Sequence, residues 1–138
     1  MKVVNQLRPS PENIRAFVAG EEEPIVMLNL LKFREKAQYE DGRPCGLTGQ
    51  EAYQIYATEM KKLVESCGGR FLFGGEVVSL LLGEVEELWD LVGLVEYPNP
   101  KALLQIASTQ PYREIEVHRI AGLAGQLNIA VRSGGLAK

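Results

Sequence analysis

Apolar residues recur along the chain at two spacings, and the change from one to the other marks out the elements. Ile14, Phe17 and Val18 form a short helical stripe. Ser10 stands where a cap belongs, Pro11 suits the first helical position, and Gly20 can end the turn. Ile25 to Phe33 is apolar at both parities and predicts a strand. Arg34 to Leu47 has no periodicity and carries Asp41-Gly42, Pro44 and Gly46, so it reads as a long loop and a candidate lid. Thr48 and Glu51 make a capping box for a helix reaching Cys67. Its stripe is Ala52, Tyr56, Met60, Leu63, Val64 and Cys67, and Gly68-Gly69 ends it.

The second half predicts a hairpin and a broken helix. Arg70 to Gly83 reads as a long strand with a bend at Gly74-Gly75. Glu84 to Glu87 is its turn, and Leu88 to Tyr97 its partner. Asn99 and Pro100 open a helix with Ala102, Leu103, Ile106 and Ala107 inside. Pro111 breaks it, a turn or two follows through Tyr112, Ile115 and Val117, and Leu123 to Val131 is the last strand. After an N-terminal helical arm (1–24), the core (25–131) therefore runs strand, helix, strand, strand, helix, strand. This is the order of an α+β, ferredoxin-like βαββαβ fold with a four-stranded antiparallel sheet.

Both faces of that sheet are apolar. Met27, Leu31 and Phe33 share one face of the first strand, and Val26, Leu28 and Leu30 the other. The third strand repeats this with Trp89, Leu91, Val95 and Tyr97 against Leu88, Val92 and Leu94. A sheet with one wet face alternates apolar and polar residues, and this one does not. Two helices cover one face only. A second copy of the sheet is the simplest cover for the other, with the N-terminal helix as the alternative.

Composition removes several function classes. At 138 residues the chain suits one domain, and 46% hydrophobic with 24% charged residues excludes disorder. The net charge of −3 leaves no basic surplus for nucleic acid. No apolar stretch approaches membrane-spanning length, and the N-terminus lacks the apolar region of a signal peptide. Cys45 and Cys67 form neither a disulfide framework nor a CxxC pair, so reduced thiols in the cytoplasm are expected. No His or Cys cluster suggests a metal, and no phosphate loop suggests a nucleotide, so no cofactor is expected.

The polar residues inside apolar runs are the candidates for chemistry. Asn29 interrupts the first strand, as an amide bonded to backbone or as a ligand contact. Asp90 beside Trp89 reads as a buried acid or base, or as an exposed or arginine-paired carboxylate at the sheet edge. Arg34 ends the first strand at the loop mouth, either solvated or holding a carboxylate or enolate. Tyr53, Trp89 and Tyr112 offer an aromatic pocket wall, or plain core. His118 reads as a helix-end histidine in preference to a haem ligand. Together these residues predict a cavity touched by Asn29 and at least two of Tyr53, Trp89, Asp90 and Arg34.

Three blocks carry a resemblance: Met27 to Arg34 (MLNLLKFR), Thr48 to Tyr56 (TGQEAYQIY) and Trp89 to Pro98 (WDLVGLVEYP), together with Pro111-Tyr112 and His118-Arg119. They resemble the domain of unknown function 1330 family, of the dimeric α+β barrel superfamily, over roughly Ile25 to Val131. The resemblance implies the fold and a homodimer and implies no activity. The wider superfamily holds cofactor-free monooxygenases, isomerases, haem-handling enzymes and binding proteins, so fold cannot choose among them. Two functions stay open. One is a homodimeric, cofactor-free enzyme of monooxygenase or isomerase type. There Asp90 would shift protons on a small aromatic or carbonyl compound, Asn29 and Arg34 would polarise an oxygen, and Tyr53, Trp89 and Tyr112 would bind. The other is a non-catalytic binding or stress-response module.

Overall fold

The computed structural model describes residues 1–20 and 22–134. Local signals place most element ends. The Ser10 hydroxyl accepts from the Asn13 amide at 3.1 Å and starts α1 (Pro11–Val18). β1 (Ile25–Phe33) follows. At Thr48 the box closes both ways, with its hydroxyl accepting from the Glu51 amide and the Glu51 carboxylate accepting from the Thr48 amide. The helix it opens, α2 (Gly49–Ser66), buries Ala52, Tyr56, Met60 and Val64. Past its end Gly68 takes a φ of 86°, which a side chain would resist.

β2 (Arg70–Glu76) and β3 (Leu91–Tyr97) are shorter than the pattern suggests. Their pairing stops at Glu76 and Leu91. The chain from 77 to 90 is therefore a connection, and the tight turn expected at Glu84 to Glu87 is absent. Val78, Leu81 and Leu82 on it are almost fully exposed. Asn99 caps α3 (Pro100–Ala107), and Thr109 caps α4 (Gln110–Gly122). Pro111 sits in the first turn of α4, where its missing N–H is harmless, so it starts a long helix where a break with a turn or two was expected. β4 (Leu123–Val131) ends the sheet.

The sheet order is β2-β3-β1-β4, with every pair antiparallel, which is the ferredoxin-like arrangement. Register sorts the side chains. Ile25, Met27 and Leu31 share the inner face with Tyr97, Val95 and Leu91, and α2, α3 and α4 pack there. Phe17 of α1 joins the same core, and α1 lies against α3. The N-terminal helix therefore covers none of the other face. On that outer face Val26, Leu28 and Leu30 stand between Leu94 and Val92 on one side and Val131, Ile129 and Leu127 on the other. β4 turns Leu127, Ile129 and Val131 outward and its amides, Gln126 and Asn128, inward, the reverse of a strand with its outer face in water. Lys32 pairs with Asp90 at one end of this face and Arg70 with Glu96 at the other.

Candidate functional site

A cavity of about 740 Å³ lies between the inner face and the helices, and the N-terminal segment from Val4 to Pro9 forms part of its wall. Met27 and Met60 line it from the sheet and from α2. One wall is a run of rings. Phe33 and Tyr53 have centroids 5.6 Å apart, Tyr53 and Tyr56 5.4 Å, and Tyr56 and Tyr112 6.2 Å edge-on. Burial raises the pKa of these phenols, that of Tyr53 to about 12 and that of Tyr56 well above its ordinary value, while Arg119 pulls the other way. All three hydroxyls are neutral at physiological pH.

A polar chain crosses the cavity wall. Gln126 Nε2 donates to Asn29 Oδ1 at 2.9 Å, and Arg119 Nη1 donates to Gln126 Oε1 at 2.7 Å. Asn29 Nδ2 makes only long bonds to the Met27 and Gly93 carbonyls, at 3.3 and 3.4 Å. Arg119 is 8% exposed, and its Nε is shut off from solvent without a hydrogen-bond partner. Its Nη2 donates to the Leu7 carbonyl at 2.5 Å, and the Glu116 carboxylate stands 3.8 Å away. The Gln6 amide donates to the Gln126 carbonyl at 3.2 Å. The N-terminal segment is thus tied to both Arg119 and Gln126.

The residues singled out in the sequence divide between two places. Asn29, Tyr53 and Tyr112 line this cavity. Asp90, Trp89 and Arg34 do not. Asp90 lies level with Lys32 on the opposite side of the sheet, accepts from its Nζ at 3.3 Å and takes the Phe33 amide at 2.8 Å. It is a paired edge carboxylate, so the expected shared site of Asn29 and Asp90 does not form, and of the four expected neighbours Tyr53 alone joins Asn29. Trp89 Nε1 donates to Asn5 Oδ1 at 2.8 Å, outside the cavity. Arg34 lines a separate hollow of about 520 Å³ with Lys32, Glu76 and Asp90.

Loop 34–47 is pinned at several points, which is not the form of a free lid. Ala37 bonds Leu47, Gln38 bonds Ala121, and the Tyr39 hydroxyl lies 2.6 Å from His118 Nδ1. Burial lowers the pKa of His118, and Arg43 adds to this, which favours the neutral imidazole. Among the described residues no group of three or more His, Cys, Asp or Glu is placed to hold a metal.

Arg119 and Gln126 are the functional candidates that pattern reading missed. The signals were present. Arg119 falls seven residues after Tyr112 on one helix face, and Gln126 alternates with Asn128 among apolar neighbours.

No family model matches the chain, and no curated protein matches it. Solved structures do. The chain is 31% identical to a protein of unknown function from Rhodopseudomonas palustris, RPA0582, with a TM-score of 0.86 over 96% of this chain and 100% of that one. The methylated form of the same protein gives 33% identity and a TM-score of 0.88 over 99% of this chain and 100% of that one. A dabb family protein with a ferredoxin-like fold from Mesorhizobium loti is 10% identical, with a TM-score of 0.51 over 81% of this chain and 98% of that one. That likeness bears on the fold alone. Among the described residues no helix is long and apolar enough to cross a membrane.

Proposed function

From the premise that the chain belongs to the family of the Rhodopseudomonas palustris protein RPA0582, we propose that it is a homodimeric protein that binds a small apolar or aromatic molecule in its inner cavity. The observation that carries this is a cavity of about 740 Å³ with ring-lined walls and a convergent polar set. That volume lies within the range of ordinary ligand sites. The enzyme reading is weaker, because Asp90, its proton carrier, lies on the far side of the sheet, held by Lys32. The homodimer is supported by the outer face, whose centre is apolar and whose two ends each carry both signs of charge, so that it can meet a copy of itself about a two-fold axis. The domain of unknown function 1330 remains the wider family we assign, on the three sequence blocks, and a reducing cytoplasm suits the two free cysteines.

The methionines test the cavity reading. Of the three, Met27 and Met60 line the cavity and Met1 is fully exposed. Neutral aromatic fragments, indole first, should shift the Met27 and Met60 methyl resonances in a carbon–proton spectrum and leave Met1 in place. Ala57→Phe, which narrows the cavity from α2, should weaken the effect. If no fragment moves either resonance at millimolar concentration, the reading fails.

A further inference from the structure

Resting on that reading of the cavity, we infer that its ligand is a monoanion, an apolar or aromatic carboxylic acid, and that Arg119 receives the carboxylate. The guanidinium is buried, yet both acceptors bonded to it are neutral, the Gln126 side-chain carbonyl and the Leu7 backbone carbonyl. The nearest carboxylate, Glu116, stands at 3.8 Å, beyond hydrogen-bond reach. A buried charge without a bonded counter-ion is costly, and a donor left unpaired adds to that cost. Arg119 has such an unpaired donor in its Nε, and its counter-ion Glu116 is held only at ion-pair distance, with no hydrogen bond.

Geometry narrows the anion. A carboxylate docks side-on across the Nε and Nη2 edge of a guanidinium through two parallel bonds. At Arg119 the Nη2 group donates to the Leu7 carbonyl, and the Nε position is empty. The Leu7 oxygen thus competes for the same Nη2 group that a carboxylate would use, and an acid that binds side-on contends with it. The other cation on the wall, Arg8, is already committed to Glu40 through two hydrogen bonds, and Glu116 on the same wall pairs loosely with Arg119, so at most one positive charge is on offer. That suits a singly charged acid and leaves a phosphate dianion short of partners. The methionine and ring-lined remainder of the cavity suits the apolar body of such an acid.

Matched pairs test the inference: phenylacetate against phenylacetamide, 1-naphthaleneacetate against its amide, and octanoate against octanamide. Affinities come from the Met27 and Met60 methyl shifts of the intact chain. At least one acid should bind about tenfold or more tightly than its amide, the usual margin of a charge-assisted bond over a neutral one. Arg119→Gln should erase that margin and leave the amide within about threefold, and Arg119→Lys, which keeps the charge and loses the fork, should fall between. Gln6→Pro removes an N–H that ties the arm to Gln126, so it should tighten the acid and leave the amide unchanged. If the arginine variants fail to fold, the wild-type Arg119 Nε–H resonance decides, because it should move with an acid and stay still with its amide. Equal binding within every pair overturns the carboxylate assignment and leaves the cavity reading standing. So does binding of indole with no acid bound. Silence to indole and to every pair overturns both.

Discussion

Leu28 stands at the centre of the outer face, with Leu94 beside it on β3 and Ile129 beside it on β4. Leu28→Asp puts a carboxylate there. In an isolated chain this position is half-buried, so the change costs about 1 kcal/mol through lost apolar contact and poorer fit to a strand. Against a second sheet the outcome differs. Each copy loses about 2 kcal/mol of apolar burial and gains a desolvated charge worth at least ~2 kcal/mol. Two-fold symmetry doubles both, giving about 8 kcal/mol per dimer, or about six decades in Kd. Sedimentation velocity at micromolar concentration reads this directly. The wild type is expected at twice the 15.3 kDa chain mass, and Leu28→Asp at the chain mass with its far-ultraviolet dichroism retained. A wild type that sediments folded at the single mass, or a variant that stays at the double mass, refutes the argument. Ile129→Lys, on the neighbouring edge strand, should act in the same direction.

Two further outcomes follow from packing and burial. At Gly49 an added Cβ would run into the Arg34 carbonyl and come within 2.6 Å of the Gly122 carbonyl, both backbone atoms that cannot swing aside. Gly49→Ala should therefore cost about 3 kcal/mol in urea denaturation, and a loss below about 0.5 kcal/mol would show that α2 and α4 can move apart. All five tyrosines have pKa values raised by burial. The folded state therefore holds protons that the unfolded chain releases near the ordinary value of 10. The stability this confers is complete below 10 and is lost as pH rises towards the folded values, about 12 for Tyr53. Phenolate absorbance should lag free tyrosine and then rise together with unfolding. A smooth titration centred at 10 would contradict the burial of the ring wall.

What the sequence determined by itself is what nearby residues settle among themselves. The Thr48–Glu51 box, the Ser10 and Asn99 caps and the left-handed turn at Gly68 each involve side chains and backbone within a few positions. They stand as the sequence predicts because no distant partner is needed. The strand order and the apolar outer face were legible for a related reason, since alternation is a local pattern with a global consequence. The ends of the hairpin were not. The stretch from Val77 to Leu82 is as apolar as a strand, but a strand lasts only while its partner faces it, and β3 runs out at Leu91. The candidate site failed at the same level. Within one strand parity separates two faces, but it does not say which parity of β3 meets which parity of β1. The register Leu31 to Leu91 decides that, and it sets Asp90 level with Lys32 and on the opposite side from Asn29. Arg119 meets Gln126 and the Leu7 carbonyl, and through Gln126 is linked to Asn29, only when α4, β4, β1 and the N-terminal arm close on one another. Four segments far apart in the chain had to be placed before that buried charge acquired its surroundings, and packing in three dimensions alone could place them.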